Sequence, residues 1–84
     1  MEHTLDARGL SCPLPLVKAR AALASVRDGD ALVVLATDPE APIDLAALAA
    51  DLGRGLVTRR EADHWRLEFR PRRTHATGPS TGVT

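Results

Sequence analysis

The segment Cys12-Pro13-Leu14-Pro15 places a reactive thiol beside two rigid residues. Proline has no N–H group and a φ near −65°, so it fits the first turn of a helix and little beyond it. The segment therefore predicts a helix that begins at Pro13, with Cys12 at its N-cap. Gly9 lies in the turn just before and is free to adopt a positive φ. We expect Gly9, Pro13 and Pro15 to hold the Cys12 thiol at the surface.

The start of a helix favours the ionised form of a thiol. Its partial positive charge stabilises a thiolate by about 0.3–1 kcal/mol, which lowers a cysteine pKa near 8.5 by about 0.2–0.7. The two prolines remove N–H groups from the first turn, so the Leu14 N–H is expected to approach the sulfur. Arg8 would add to this effect and Asp6 would cancel Arg8, and the sequence leaves that balance open. These considerations predict a partly ionised nucleophile at Cys12.

Cys12 is the only cysteine of the chain. A single cysteine forms no internal disulfide, no Cys-x-x-Cys redox pair and no cysteine zinc cluster. It can attack a sulfur donor, hold the sulfur as a persulfide and release it to the thiolate of a partner. A free cysteine is also often a buried core residue. Its position between a turn and a helix start favours an exposed, reactive thiol over that alternative.

Three histidines are the other candidates for chemistry. His3 lies at the far end of the first predicted strand, His64 on an open sheet face and His75 in the C-terminal tail. None is expected to pair with Cys12, and none has the spacing of a metal site. We therefore expect neither a metal nor another cofactor.

The periodicity of apolar residues predicts four strands and two helices. Leu16, Ala19, Leu23 and Val26 form one stripe of a first helix. Leu45, Leu48 and Leu52 mark a second helix, which Gly53 ends. The strands are predicted over 3–7, 31–36, 55–60 and 64–70, in the order β-α-β-α-β-β.

The last strand indicates how the layers are arranged. Trp65, Leu67 and Phe69 alternate with charged residues, so one face of the sheet is covered and the other is open. Both helices should then pack on one face of the sheet. The prediction is an α+β fold, a two-layer α/β sandwich with a four-stranded mixed sheet. Its first two strands are parallel and its last two form a hairpin.

Length and composition limit the domain organisation. The chain has 84 residues, with 11 basic and 11 acidic side chains. We expect one domain over residues 1–73 and a flexible tail over 74–84, which is rich in Thr and Gly. No leader pattern and no apolar run long enough for a membrane helix is present, and a lone thiol suits a reducing compartment. These features predict a cytoplasmic protein with no membrane partner.

The basic residues concentrate in the second half of the chain: Arg54, Arg59, Arg60, Arg66, Arg70, Arg72 and Arg73. Arg59 and Arg66 should share the open sheet face. The plainer interpretation is a solvated face balanced by acidic neighbours. The functional alternative is a regulatory adaptor, or an RNA-binding module, that docks a partner through this face. Without aromatic residues there to stack bases, direct nucleic-acid binding is not expected.

Residues 5–16, Leu-Asp-Ala-Arg-Gly-Leu-Ser-Cys-Pro-Leu-Pro-Leu, resemble the signature of the TusA/SirA/YedF family of small sulfur-carrier proteins. Thr37-Asp38-Pro39, Ala41 and Asp44 resemble the start of the second helix in that family. The resemblance implies the same two-layer fold and a sulfurtransferase-type role in which Cys12 bears the persulfide. It implies a cysteine desulfurase or rhodanese-type donor and an acceptor protein with its own cysteine. The pathways implied are tRNA thiolation, molybdenum-cofactor chemistry or sulfur oxidation. Arg8, Arg59 and Arg66 are candidate docking residues for such partners.

Overall fold

The fold has the predicted order of elements. The computed structural model describes residues 1–72 as β1 (Glu2–Ala7), α1 (Leu14–Leu23), β2 (Ala31–Ala36), α2 (Ala41–Leu52), β3 (Leu56–Arg60) and β4 (Trp65–Phe69). The α+β class and the β-α-β-α-β-β order are therefore confirmed. The tail predicted over 74–84 lies outside the described residues. Within residues 1–72, no helix is long and apolar enough to cross a membrane.

The four strands form one mixed sheet in the order β1-β2-β4-β3. β1 runs parallel to β2, whereas β4 is antiparallel to both of its neighbours. The central strand β2 is the apolar run Ala31–Ala36, as its composition predicts. This pairing brings the carboxyl ends of β1 and β2 to the same edge of the sheet, because Ala7 is the register partner of Ala36.

The core lies between the helices and one face of the sheet. Ala19 from α1, Leu45 from α2, Val34 from β2 and Phe69 from β4 are fully buried in one cluster. The open face carries charged side chains instead. Arg66 on β4 reaches across β2 to Glu2 on β1, with 3.6 Å between Nη2 and Oε2.

Arg54 does not belong to an exposed basic surface. It is buried, and its guanidinium donates hydrogen bonds to four backbone carbonyls at 2.8–3.5 Å. The carbonyl groups belong to Val26, Arg27, Asp30 and Arg70. Arg54 therefore ties the loop between α1 and β2 to the end of β4.

Candidate functional site

Cys12 lies in the connection between β1 and α1. Because β1 and β2 are parallel, this connection meets the one between β2 and α2 at the edge where both strands end. Both helices begin at that edge, and ligands of α/β sheets commonly bind there. Cys12 is exposed, as predicted from its position before a helix.

The start of α1 differs from the prediction by one residue. The N-cap is Pro13 and the first helical residue is Leu14, so Cys12 precedes the cap. The Cys12–Pro13 peptide bond is cis. The Leu14 N–H donates to the Ser11 carbonyl at 2.8 Å. The prediction that the Leu14 N–H approaches the sulfur is therefore wrong. The turn over residues 11–14 uses the one N–H group that the two prolines had left available.

Two side chains from the next connection, those of Thr37 and Asp38, hold the cysteine loop. Thr37 Oγ1 accepts a hydrogen bond from the Gly9 N–H at 2.9 Å. Asp38 Oδ2 accepts one from the Cys12 N–H at 2.9 Å, while its Oδ1 accepts the Glu40 N–H at 2.7 Å. These bonds fix both ends of the loop to the residues that follow β2.

Asp44, in the first turn of α2, contacts the thiol itself. Cys12 Sγ donates a hydrogen bond to Asp44 Oδ2 at 2.8 Å. The position of this turn of α2 is fixed because Ala41 and Leu45, on either side of Asp44, are buried in the core. The thiol of the predicted site therefore has a carboxylate partner.

The prediction of a lowered thiol pKa is wrong. The pKa of Cys12 is raised from an ordinary 9.0 to about 11, first by the hydrogen bond to Asp44, then by desolvation and by the negative charges of Asp44, Asp38 and Glu40. A carboxylate stabilises the protonated thiol and repels the thiolate, which outweighs the dipole of the nearby helix ends. In its resting state Cys12 is a neutral thiol.

The predicted positioning residues precede and follow Cys12 in the chain. Gly9 has a φ of 84°, as expected for the third position of the turn closed by the Leu10 N–H and the Ala7 carbonyl. Pro15 is buried against the core, whereas Pro13 is exposed. That Gly9, Pro13 and Pro15 serve to position the thiol stays a prediction.

The candidate docking residues do not gather at the thiol. Arg8 turns to Asp6, with Nε–Oδ1 and Nη2–Oδ2 distances of 2.9 Å, so this charge is paired beside the loop. Arg59 and Arg66 are register partners on β3 and β4. They lie on the open sheet face, away from the helices. Their role in docking stays a prediction.

Neither described histidine contacts Cys12. His3 Nε2 lies 3.2 Å from Asp30 Oδ2 and His64 Nδ1 lies 2.7 Å from Asp63 Oδ1. His75 lies outside the described residues. Over residues 1–72, no group of three His, Cys, Asp or Glu side chains is arranged to hold a metal ion.

Reasoning from the residue types did not assign roles to Thr37, Asp38 and Asp44. One signal was present in the sequence. If β1 and β2 are parallel, the residues just after β2 must lie beside the residues just after β1. That places Thr37 and Asp38 next to the cysteine loop. The contact of Asp44 with Sγ is seen only in the three-dimensional structure.

Comparisons with known proteins agree with this fold and motif. The family model described as Sulfurtransferase TusA matches residues 3–70. A Neisseria meningitidis serogroup A protein, named as a candidate sulfur carrier, is 48% identical over 61 residues, which cover 73% of this chain and 82% of the relative. The sulfur carrier protein TusA of Allochromatium vinosum is 40% identical over 60 residues, or 71% of this chain and 79% of the relative.

A solved structure shows the same architecture. The crystal structure of a SirA-like protein from Desulfitobacterium hafniense superposes with a TM-score of 0.72 at 24% identity, covering 82% of this chain and 95% of that one. At this identity the likeness concerns the fold. The match of the family model over residues 3–70, with relatives at 48% and 40% identity, leads to one conclusion: the chain belongs to the TusA sulfurtransferase family.

Proposed function

We propose that this chain is a small sulfur carrier, which accepts sulfur as a persulfide on Cys12 and passes it to an acceptor protein. The observation that carries the proposal is the exposure of the Cys12 thiol at the shared edge of β1 and β2, in a chain of the TusA family. Thiol exchange on sulfur requires that the partner's sulfur can reach the reacting atom.

The absence of a second cysteine suits a carrier. Cys12 is the only cysteine in the sequence, so no neighbouring thiol of the same chain can attack a Cys12 persulfide and discharge it. The sulfur stays bound until a thiolate from another protein arrives. A reducing cytoplasm, where such a thiol remains free, is the compartment that we propose.

The surroundings of the thiol favour a protein partner. Leu14 and Val17 on α1 and Ile43 on α2 are large apolar residues with 47%, 55% and 71% of their surface exposed. Leu14 follows Cys12 closely, and Ile43 precedes the Asp44 that contacts Sγ. Exposed apolar side chains beside a reactive group suit a protein contact.

The partners that we propose are a donor and an acceptor of persulfide sulfur. A cysteine desulfurase or a rhodanese-type enzyme would supply the sulfur. An acceptor protein with its own cysteine would receive it, in tRNA thiolation, molybdenum-cofactor synthesis or sulfur oxidation.

Intact mass spectrometry tests the proposal. The wild-type chain is incubated with a cysteine desulfurase and cysteine, and we expect the mass of one additional sulfur atom, which a reductant removes. Cys12→Ser should gain nothing. A matched control moves the thiol to the exposed turn after α1 in the double variant Cys12→Ser/Ser25→Cys.

The relocated thiol separates a specific site from general thiol reactivity. We expect it to react with iodoacetamide but to accept little sulfur from the desulfurase. Equal loading of wild type and relocated thiol would show that position 12 has no special role. No loading of the wild type would overturn the proposal.

A further inference from the structure

We propose that Asp44 is a catalytic residue of this site, which takes the Sγ proton of Cys12 during sulfur loading and returns a proton to Sγ during sulfur release. This inference rests on the proposed carrier function and goes beyond it by assigning the proton transfers. Its geometric basis is the 2.8 Å contact between Cys12 Sγ and Asp44 Oδ2. A general base must lie within hydrogen-bond reach of the proton that it removes.

The reaction needs a base because the nucleophile is the thiolate. The Asp44 hydrogen bond and the carboxylates of Asp38 and Glu40 keep Cys12 protonated near neutral pH. Neither described histidine contacts Sγ, since each lies against an aspartate elsewhere. The reaction thus needs a thiolate at a site that favours the protonated thiol. A base that accepts the proton while the S–S bond forms meets both conditions.

The other charged groups that face the loop are less suited to this role. Both carboxylate oxygens of Asp38 accept backbone N–H groups, from Cys12 and Glu40, and these bonds lower the Asp38 pKa. Glu40 influences the thiol by its charge and not by a hydrogen bond. Arg8 is paired with Asp6. Among the described residues, Asp44 is the ionisable side chain that touches the reacting atom.

The loading step balances without an oxidant or a reductant. Cys12 Sγ gives its proton to Asp44 and attacks the outer sulfur of a donor persulfide. A new S–S bond forms at Cys12, and the S–S bond of the donor breaks. Its electron pair goes to the inner donor sulfur, which takes the proton from Asp44 and leaves as a thiol. The outer sulfur keeps its own protonation state.

Release is the same sequence in reverse. A thiol of the acceptor gives its proton to Asp44 as its sulfur attacks the outer sulfur of the Cys12 persulfide. The leaving Cys12 Sγ then receives that proton. A thiol with a raised pKa is a poor leaving group as the bare thiolate, so proton delivery assists this step.

Asp44→Asn tests the proposal, because it keeps the shape of the side chain and removes the base. Two rates are compared at one pH: alkylation by iodoacetamide, and loading from a low-molecular-weight alkyl persulfide, which needs no protein docking. We expect Asn at this position to lower the Cys12 pKa by about 1 to 2. Alkylation should then be about 3- to 10-fold faster, since the lower nucleophilicity of the thiolate offsets part of the gain in thiolate fraction. Loading should instead slow by about tenfold or more, as expected when general acid–base catalysis is lost.

Two further variants serve as controls. Asp51→Asn makes the same chemical change at an exposed position in the last turn of α2 and should change neither rate. Asp44→Glu retains a carboxylate and should recover part of the loading rate. Equal unfolding midpoints verify that the variants are folded.

The outcomes separate this inference from the carrier function. If the loading rate of Asp44→Asn rises in parallel with its alkylation rate, Asp44 only raises the pKa of the thiol, and the proposed proton transfers through Asp44 are wrong. If the wild type takes no sulfur from the alkyl persulfide or from a cysteine desulfurase, the carrier function itself fails.

Discussion

Cys12 has surroundings that oppose its ionisation. The starts of two helices would stabilise a thiolate, but their dipoles act diffusely and are open to solvent. A carboxylate in direct hydrogen bond with Sγ acts at 2.8 Å and prefers the protonated form. The direct contact therefore determines the direction in which the Cys12 pKa shifts, which is upward. As a result, the resting thiol resists both oxidants and alkylating reagents.

The pH dependence of alkylation should report this environment. Because the Cys12 pKa is about 11, the thiolate fraction rises about tenfold per pH unit from pH 7 to 10, and the iodoacetamide rate should rise with it without a plateau. The same chain unfolded in urea should level off near pH 9 to 10, because its thiol has an ordinary pKa. Circular dichroism verifies that the protein stays folded. A plateau of the folded protein below pH 9 would contradict the contact with Asp44.

The sequence was sufficient to predict that the thiol of Cys12 is exposed. Cys12 is unique, and the prolines after it restrict where a helix can begin. The ionisation state was not predictable in the same way. It depends on whether the side chain of Asp44, thirty-two positions away in the sequence, points at the thiol.

The connection after β1 is the element that presents Cys12. Its turn requires a positive φ at Gly9, and its two ends are held by Thr37 and Asp38. The loop therefore depends on backbone conformation as well as on side-chain contacts.

Gly9→Ala tests that dependence. A Cβ at this position would meet no atom within 4 Å, so the cost is conformational, about 1–2 kcal/mol of unfolding free energy for a left-handed residue. Gly29→Ala is the matched control, because a Cβ there also meets no atom within 4 Å and Gly29 is not among the positive-φ glycines of residues 1–72. The control should be neutral or stabilising by up to about 1 kcal/mol. Equal urea midpoints for the two variants would contradict the proposed role of the turn.

Arg54 joins elements at the end of the molecule opposite to Cys12. Its guanidinium satisfies four carbonyl groups that lie outside the helices and strands. No carboxylate bonds it among the described residues, so its contribution comes from charge-assisted hydrogen bonds to the backbone.

Arg54→Met should reveal how much this connection stabilises the fold. Methionine fills part of the volume but removes the donor of all four hydrogen bonds, and we expect a loss of about 2–4 kcal/mol in unfolding free energy. Arg59→Met, at an exposed position, should change it by less than about 0.5 kcal/mol. Urea denaturation followed by circular dichroism measures both. Similar losses of unfolding free energy for the two variants would refute the stabilising role of Arg54.

The elements themselves were predictable because their patterns are strong. The β2 run is apolar at every position, and β4 alternates between Leu67 and Phe69 on one face and charged residues on the other. The role of Arg54 was not predictable, because an arginine after a helix-ending glycine is usually exposed. Its burial depends on carbonyl groups from two segments that are far apart in the sequence, the loop between α1 and β2 and the end of β4.

The whole molecule presents two distinct surfaces. One is the edge with Cys12, where Asp38, Glu40 and Asp44 concentrate negative charge. The other is the open sheet face, where Arg66 is shared between Glu2 and Glu68 while Arg59 makes no ion pair with any residue in 1–72. A carrier would act through the edge, whereas the adaptor hypothesis requires the face.

Arg59→Glu distinguishes the two surfaces. Arg59 and Arg66 are directly opposite on neighbouring strands, and like charges in such pairs are destabilising. The reversal should therefore leave the fold intact and raise the unfolding free energy by about 0.2–1 kcal/mol. Loading of Cys12 should stay within about twofold of wild type, both from an alkyl persulfide and from a cysteine desulfurase, because the reacting edge is unchanged. A loss of loading confined to the desulfurase reaction would instead assign donor docking to the open face. If Cys12→Ser kept its function in cells while Arg59→Glu lost it, the adaptor hypothesis would be favoured.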